Sequence, residues 1–213
     1  MNRKIEKSWF EVDGNLNRIA FGGDTHFRFP EEVAERVIST YSQKSDWVLD
    51  PFAGFGTAIN VAQRLERNAI GIEIDSKRAE FANNDLVAPN VVVRDRAENV
   101  SSLSGKYTFN LVFTSPPYLT VRLEDDPWGA TYFQDMRKIF TDIKQLLVPD
   151  AAIVVEVSNV RRDAGIRPLA WQLGEILSEI YEFQGEVIRC NTSDVEAGPG
   201  FNHSYLLVYR NNS

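Results

Sequence analysis

The sequence predicts an α/β fold: a doubly wound, mostly parallel seven-stranded sheet with one antiparallel edge strand. Three observations predict it. Runs such as "WVLD" (47–50), "FNLVFT" (109–114) and "AAIVVEVSN" (151–159) are rich in β-branched and aromatic residues with little polar alternation, as strands covered on both faces are. Amphipathic helical segments separate them, the order expected of a parallel sheet wound by crossover helices. The last part reads as two strands in succession, "EVIRCNT" (186–192) and "SYLLVYR" (204–210), which predicts one antiparallel edge.

Each element has its own signal. "WFEVDGNLNRIAF" (9–21) has two apolar stretches around Asp13-Gly14, a type I′ hairpin signal, and predicts an N-terminal hairpin extension within residues 1–24. "FPEEVAERVISTYS" (29–42) opens with Pro30 and acidic residues and sets Val33, Val37 and Ile38 on one face, which predicts a helix. Then strand 47–50 leads through a glycine-rich turn to helix 57–67, strand 69–75 to helix 76–85, and strands 90–95 and 109–114 follow. A helix over roughly 131–147 leads to strand 151–159, and a helix over 167–181 precedes the final strands. Repeats and linker-like tracts are absent, so residues 1–213 read as a single domain.

Bulk composition narrows the function classes. No apolar run approaches the roughly 20 residues of a membrane span, and the start carries charges with no apolar segment behind them, so a cytoplasmic protein without membrane contact is expected. The single cysteine, Cys190, excludes an intramolecular disulfide and a cysteine-rich zinc site; no metal is expected. A net charge of −7 argues against a protein that simply coats nucleic acid, because such affinity comes from neutralised phosphates.

Ligands of such a sheet lie at the carboxyl ends of its strands, and the unusual residues fall there. In "LDPFAGFGTA" (49–58), Gly54 and Gly56 let the backbone turn sharply into a helix and approach a ligand closely. Asp50, at the strand end, is placed to accept hydrogen bonds from a ligand's amine or ribose. Glu73, ending the next strand, occupies the place of a ribose-binding acid, and Asp95, ending the third, is placed to meet an adenine amino group. Asp75 reads as the N-cap of the helix that starts at Ser76. No Gly-Lys-Ser/Thr follows the glycines, so triphosphate transfer is not expected. After the fourth strand comes "TSPPY" (114–118), in which two prolines end a buried strand abruptly and leave carbonyls without ladder partners.

The ordered set DPFAGFGT, GIEID, RD and TSPPY resembles the S-adenosylmethionine-dependent amino-methyltransferases, above all those that methylate the exocyclic nitrogen of cytosine or adenine in DNA. The resemblance spans roughly residues 20–160 and implies a Rossmann-like class I methyltransferase fold with S-adenosyl-L-methionine as cofactor. Upstream, "DTHFRFP" (24–30) is similar to the segment that closes over the methionine end of the cofactor, which brings in His26, Phe27 and Pro30; Phe52, Thr57 and Thr114 belong to the matched motifs. The resemblance also gives the Pro-Pro turn a task. An exocyclic amine is a poor nucleophile because its lone pair is delocalised into the ring. The Ser115 hydroxyl and the Pro116 carbonyl are expected to accept its two N–H bonds and hold its lone pair toward the methyl group, with Pro117 fixing the carbonyl. Tyr118 is expected to stack on an extruded base. By the same resemblance serine at 115 leans toward cytosine N4, with adenine N6 next. Cys190 has no part in this chemistry, and His203 reads as an ordinary surface or capping residue.

Sequence readout looks thin beside this catalytic set. No separate target-recognition domain is expected; the residues left over are roughly 119–131, 161–167 and 191–203, where Arg122, Arg161, Arg162 and Arg167 form a candidate basic rim for substrate. The "LEDDPW" run (123–128) reads as a solvated or substrate loop, and 191–203 as acidic and glycine-bearing. A short target, a single-stranded or RNA substrate, a homodimer or a specificity partner would each account for this. The alternatives to DNA methylation are RNA base-amine methylation and a non-catalytic cofactor-binding subunit.

Overall fold

In a computed structural model, the described residues are 8–13, 18–22, 24–28, 30–119, 129–162, 165–192 and 196–212. The strands are β1 Trp9–Val12, β2 Arg18–Phe21, β3 Asp24–Phe27, β4 Trp47–Asp50, β5 Asn68–Glu73, β6 Val91–Arg94, β7 Phe109–Thr114, β8 Leu147–Val157, β9 Val160–Arg162, β10 Gly165–Arg167, β11 Glu182–Asn191 and β12 His203–Arg210. The helices are α1 Glu31–Tyr41, α2 Thr57–Arg64, α3 Ser76–Asn83, α4 Tyr132–Lys144 and α5 Leu169–Ile180, with a 3-10 turn over Ala97–Leu103.

The main sheet runs β1-β11-β12-β8-β7-β4-β5-β6, and every pairing is parallel except those of β12 with β11 and β8. The α/β, doubly wound, mostly parallel reading holds, with two corrections. Among the described residues the sheet has eight strands rather than seven, because β1 adds to β11 in register from Trp9–Ile188 to Val12–Asn191. The antiparallel strand is interior, between β11 and β8, rather than at an edge.

Alternation along the strands feeds two cores. Val48 of β4, Val154 of β8 and Leu206 of β12 pack under α1, α2 and α3, while Leu49, Val155 and Leu207 pack under α4, α5 and the 3-10 turn. Period-two side chains on a sheet covered twice demand apolar residues at nearly every position, which is why these strands read as continuous runs. On α1, Val33, Ala34, Val37 and Ile38 form the buried stripe, and Glu31 and Glu32 sit in the first turn where the helix dipole favours acids.

The N-terminal hairpin expectation is also corrected. β1 and β2 do not pair with each other: β1 lies in the main sheet, and β2 pairs with β3, Ile19 opposite His26. Burying Phe10 and Val12 against the core outweighs the local turn preference. Within the stretch 161–167 left over in the sequence, β9 and β10 pair antiparallel, Arg161 opposite Ile166.

Candidate active site

Chain order reverses between β4 and β7: from β4 the chain passes outward to β5 and β6, then returns to β7 on the other side. Such a switch point opens a crevice beyond the strand ends. Asp50 and Thr114 end these two strands, both are buried, and the Thr114 hydroxyl donates to Asp50 Oδ1 at 2.6 Å. The Phe52 N–H donates to the same oxygen at 3.1 Å, whereas Oδ2 has no hydrogen-bond partner among the described residues. Burial raises the Asp50 pKa to about 7, with the Glu73 charge adding to the rise and the two hydrogen bonds opposing it.

The glycine turn is held from β5. Glu73, 7 % exposed, accepts from the Gly54 N–H and from the Asp75 N–H, both at 2.8 Å. The sequence puts Glu73 where a ribose-binding acid is expected; in the structure its carboxylate fixes the turn itself. Gly54 has φ +53 with nothing near the place a Cβ would take. Gly56, at φ +77, sits so close to α3 that a Cβ would lie 2.7 Å from that of Ala82. Gly71 in "GIEID" lets Ala53 press on β5, its missing Cβ lying 2.7 Å from the Ala53 Cβ. Asp75 caps α3 as expected, accepting from the Arg78 N–H at 2.9 Å. Asp95 is tied beside Glu73 by its N–H on the Glu73 carbonyl at 3.1 Å, and its Oδ1 accepts from Arg96 N–H and Asn99 Nδ2.

The β2–β3 hairpin reaches this turn through Phe21, whose ring meets Phe55 at 5.2 Å and Phe81 at 5.5 Å in edge contacts. His26 and Phe27 lie in β3, opposite Ile19 and Arg18 of β2; their side chains, like that of Arg162, lie outside the described residues, as do Arg122 and the "LEDDPW" run. Pro30 is buried, and its carbonyl caps α1 by accepting from Val33 N–H at 3.0 Å. Thr57 is the buried first residue of α2.

Ser115 follows Thr114 directly and is half-buried; Pro116 is buried, and Pro117 and Tyr118 are half-buried. Among the described residues no hydrogen bond reaches the Pro116 carbonyl. Tyr118 packs against the core, and its hydroxyl accepts from the Ser158 N–H at 3.1 Å, an anchor that the sequence did not suggest. Burial, then the Glu156 charge, raises the phenol's pKa, so it stays neutral. Gly198 crosses the end of β8 there: a Cβ would lie 2.2 Å from the Ser158 Cβ and 3.3 Å from the Tyr118 hydroxyl. The glycines read as mere loop composition in 191–203 are thus needed for close approach. Arg161 donates its N–H to the Pro199 carbonyl at 3.0 Å and lays its guanidinium over Phe201 at 4.8 Å, while Arg167 is exposed on β10.

Behind Tyr118 lies a buried ionic network. Glu156 Oε1 accepts from Arg189 Nη1 at 2.7 Å and from the Ser204 hydroxyl at 2.9 Å, and Arg189 Nη2 donates to Asn191 Oδ1 at 2.8 Å. Among the described residues no group of three or more His, Cys, Asp or Glu side chains is arranged to hold a metal, and no helix is long and apolar enough to cross a membrane. A surface depression along the outer face of α1, lined by Glu32, Glu35, Arg36, Ser39 and Thr40, takes no residue from the glycine or Pro-Pro turns.

Residues 2–84 match the family model N6_N4_Mtase, described as DNA methylase; the match ends before the Pro-Pro turn. Type II methyltransferase M.MthZI of Methanothermobacter thermautotrophicus is 38% identical over 87 residues, 37% of this chain and 24% of that protein. M2.DpnII of Streptococcus pneumoniae, also a Type II methyltransferase, is 41% identical over 61 residues, 29% of this chain and 23% of that protein. The chain therefore spans about a quarter of the length of these relatives. Among solved structures, TrmN from Thermus thermophilus superimposes with a TM-score of 0.60 at 16% identity, over 84% of this chain and 47% of that one. The N-methyltransferase NodS from Bradyrhizobium japonicum, in complex with S-adenosyl-l-homocysteine, gives 0.58 at 14% identity over 86% of each chain. These structures share the fold. By its residues 2–84 the chain is similar to DNA methylases, and its sheet has the fold of these solved structures.

Proposed function

We propose that the chain transfers a methyl group from S-adenosyl-L-methionine to the exocyclic amine of a base in DNA, cytosine N4 first and adenine N6 next. The observation that carries this reading is the 2.6 Å hydrogen bond from Thr114 to Asp50, which joins the glycine turn to the Pro-Pro turn across the switch point. The residues fit the cofactor: Asp50 Oδ2 is a buried acceptor without a partner, suited to an ammonium, and the space beside Gly54 is clear for a close ligand. The Glu73 carboxylate keeps lone pairs beyond those used by Gly54 and Asp75 for ribose hydroxyls, and Asp95 stands beside it for the adenine amine. When bound, the cofactor supplies an activated methyl group. The chain's own part is orientation: Ser115 Oγ and the Pro116 carbonyl accept the two amine hydrogens, and Tyr118, anchored at Ser158, offers a ring to the extruded base. Arg161, Arg162 and Arg167 serve the flanking phosphates.

Isotope-labelled methyl transfer to duplex DNA, single-stranded DNA and total RNA, followed by digestion to nucleosides, tests the reading. Label is expected in N4-methyldeoxycytidine. Label in N6-methyldeoxyadenosine overturns the base assignment, and label confined to RNA overturns the DNA assignment.

The Asp50 pKa of about 7 adds a pH dependence. Only the ionised carboxylate offers Oδ2 fully to a cation, so cofactor affinity should rise as pH climbs through 7, roughly tenfold between about pH 6 and about pH 8. Asp50→Asn should bind more weakly and with a flat pH profile. Calorimetric titration across that range checks both, and an equally steep profile in the variant would assign the titration to another group.

A further inference from the structure

Four rings and one guanidinium form a continuous row that ends beside the Pro-Pro turn. Trp171, in the first turn of α5, meets Tyr205 at 5.1 Å between ring centroids; Tyr205 meets His203 at 5.5 Å, and His203 meets Phe201 at 5.4 Å. The Arg161 guanidinium closes the row, 4.8 Å from the Phe201 centroid. Residues 203 and 205 share a face of β12, and Phe201 continues their period just before the strand. The row joins the site by two hydrogen bonds: Ser158 Oγ donates to the His203 carbonyl at 3.1 Å, and Ser158 N–H donates to the Tyr118 hydroxyl.

Core packing accounts for only part of this arrangement. Further along the same face of β12, Leu207 and Tyr209 are fully covered, as core residues should be. Phe201, His203 and Tyr205 are only half-buried, and Trp171 is 49% exposed. Arg161 of β9 stands at the end of the row, and on β10, paired with β9, Ile166 is 59% exposed and Arg167 is exposed. Among the described residues neither Arg161 nor Arg167 has a carboxylate partner, although the chain carries a net charge of −7. Partly exposed rings beside a guanidinium that has no carboxylate partner among the described residues are the chemistry that grips unstacked nucleotides, because every base offers a face whatever its identity.

We propose that this row is a stacking platform for the unstacked bases of a DNA strand flanking the target base, with Arg161 and Arg167 on its phosphates. The inference rests on the reading of the chain as a DNA methyltransferase. Bases in an intact duplex cannot present their faces to the platform. The preferred substrate is therefore a single or locally opened strand.

The test is fluorescence anisotropy with a labelled thymidine oligodeoxynucleotide of about twelve residues, the same strand in duplex, and the matching oligouridine. The single DNA strand should bind at least tenfold tighter than the duplex. Trp171→Ala should weaken single-strand binding roughly tenfold while leaving duplex binding and the thermal midpoint near wild type, and Trp171→Phe should keep most of the affinity. An unchanged affinity in Trp171→Ala, an equal loss for both DNA forms, or tighter binding of oligouridine overturns the proposal. Methyl transfer and cofactor binding measured on the same preparations keep the two readings apart. Absent transfer with the expected Trp171 effects removes the activity alone, and normal transfer with a silent Trp171→Ala removes the platform alone.

Discussion

Glu156→Ala is expected to lower the unfolding free energy by about 3–5 kcal/mol, which for a chain of this size is a fall of about 10 °C in thermal midpoint. Arg189 is 1% exposed, and Glu156 is its sole ion-pair partner among the described residues, so the variant leaves a cation in the core with only Asn191 to satisfy it. Among the described residues its Nε has no hydrogen-bond partner either. The sign reverses when both charges are removed. Glu156→Leu combined with Arg189→Met should recover most of the stability, because two apolar side chains need none of the desolvation that the ion pair requires. Scanning calorimetry of the single and double variants decides it. A double variant no more stable than Glu156→Ala would mean that the strands need the charges for pairing rather than for mutual neutralisation.

Ser115→Ala is expected to cost methyl transfer about 10²- to 10³-fold in kcat, with cofactor affinity changed less than about twofold. Thr114 keeps its bond to Asp50 in the variant, so the cofactor side of the crevice is untouched. The Pro116 carbonyl alone would then hold one of the two amine hydrogens, leaving the nitrogen free to relax into the base plane. Single-turnover kinetics with saturating cofactor isolates that step. A rise in KM with kcat preserved would show that the hydroxyl binds the base in its ground state and contributes nothing at the transition state.

What the sequence discloses depends on whether a feature is local. Strands β4 and β7 fall where the apolar runs predict, because residues covered on both faces leave an unbroken signature and Pro116-Pro117 marks where β7 must stop. The Asp75 cap was legible for the same reason, since cap and helix adjoin. The partnership of β1 with β11 was not: nothing in "WFEV" names a partner so far along the chain, and Asp13-Gly14 points to a nearby one. Glu156 and Arg189 each stand out as charges within apolar strands, yet their pairing follows only from the sheet order that sets β12 between β8 and β11. The aromatic row draws on α5 and on the approach to β12, and the reading of His203 as a lone surface residue missed it because its ring neighbours come from separate elements. Ser158 and Gly198 carry no motif; only the close crossing of two segments makes them matter.

The placement of β12 in the middle of the sheet sets the order in which the molecule can be completed during synthesis. A ribosome adding 5–20 residues per second delivers Trp9 roughly ten to forty seconds before Ile188, its neighbour in the finished sheet. When β11 has emerged, β8 and β11 still face each other across the gap that β12 must fill. Two apolar edges therefore stay open on the nascent chain until residues 203–210 arrive, a window in which pairing with another copy competes with self-completion. Translation rate and chaperone access should therefore govern the yield of folded protein more than the final stability of the sheet does.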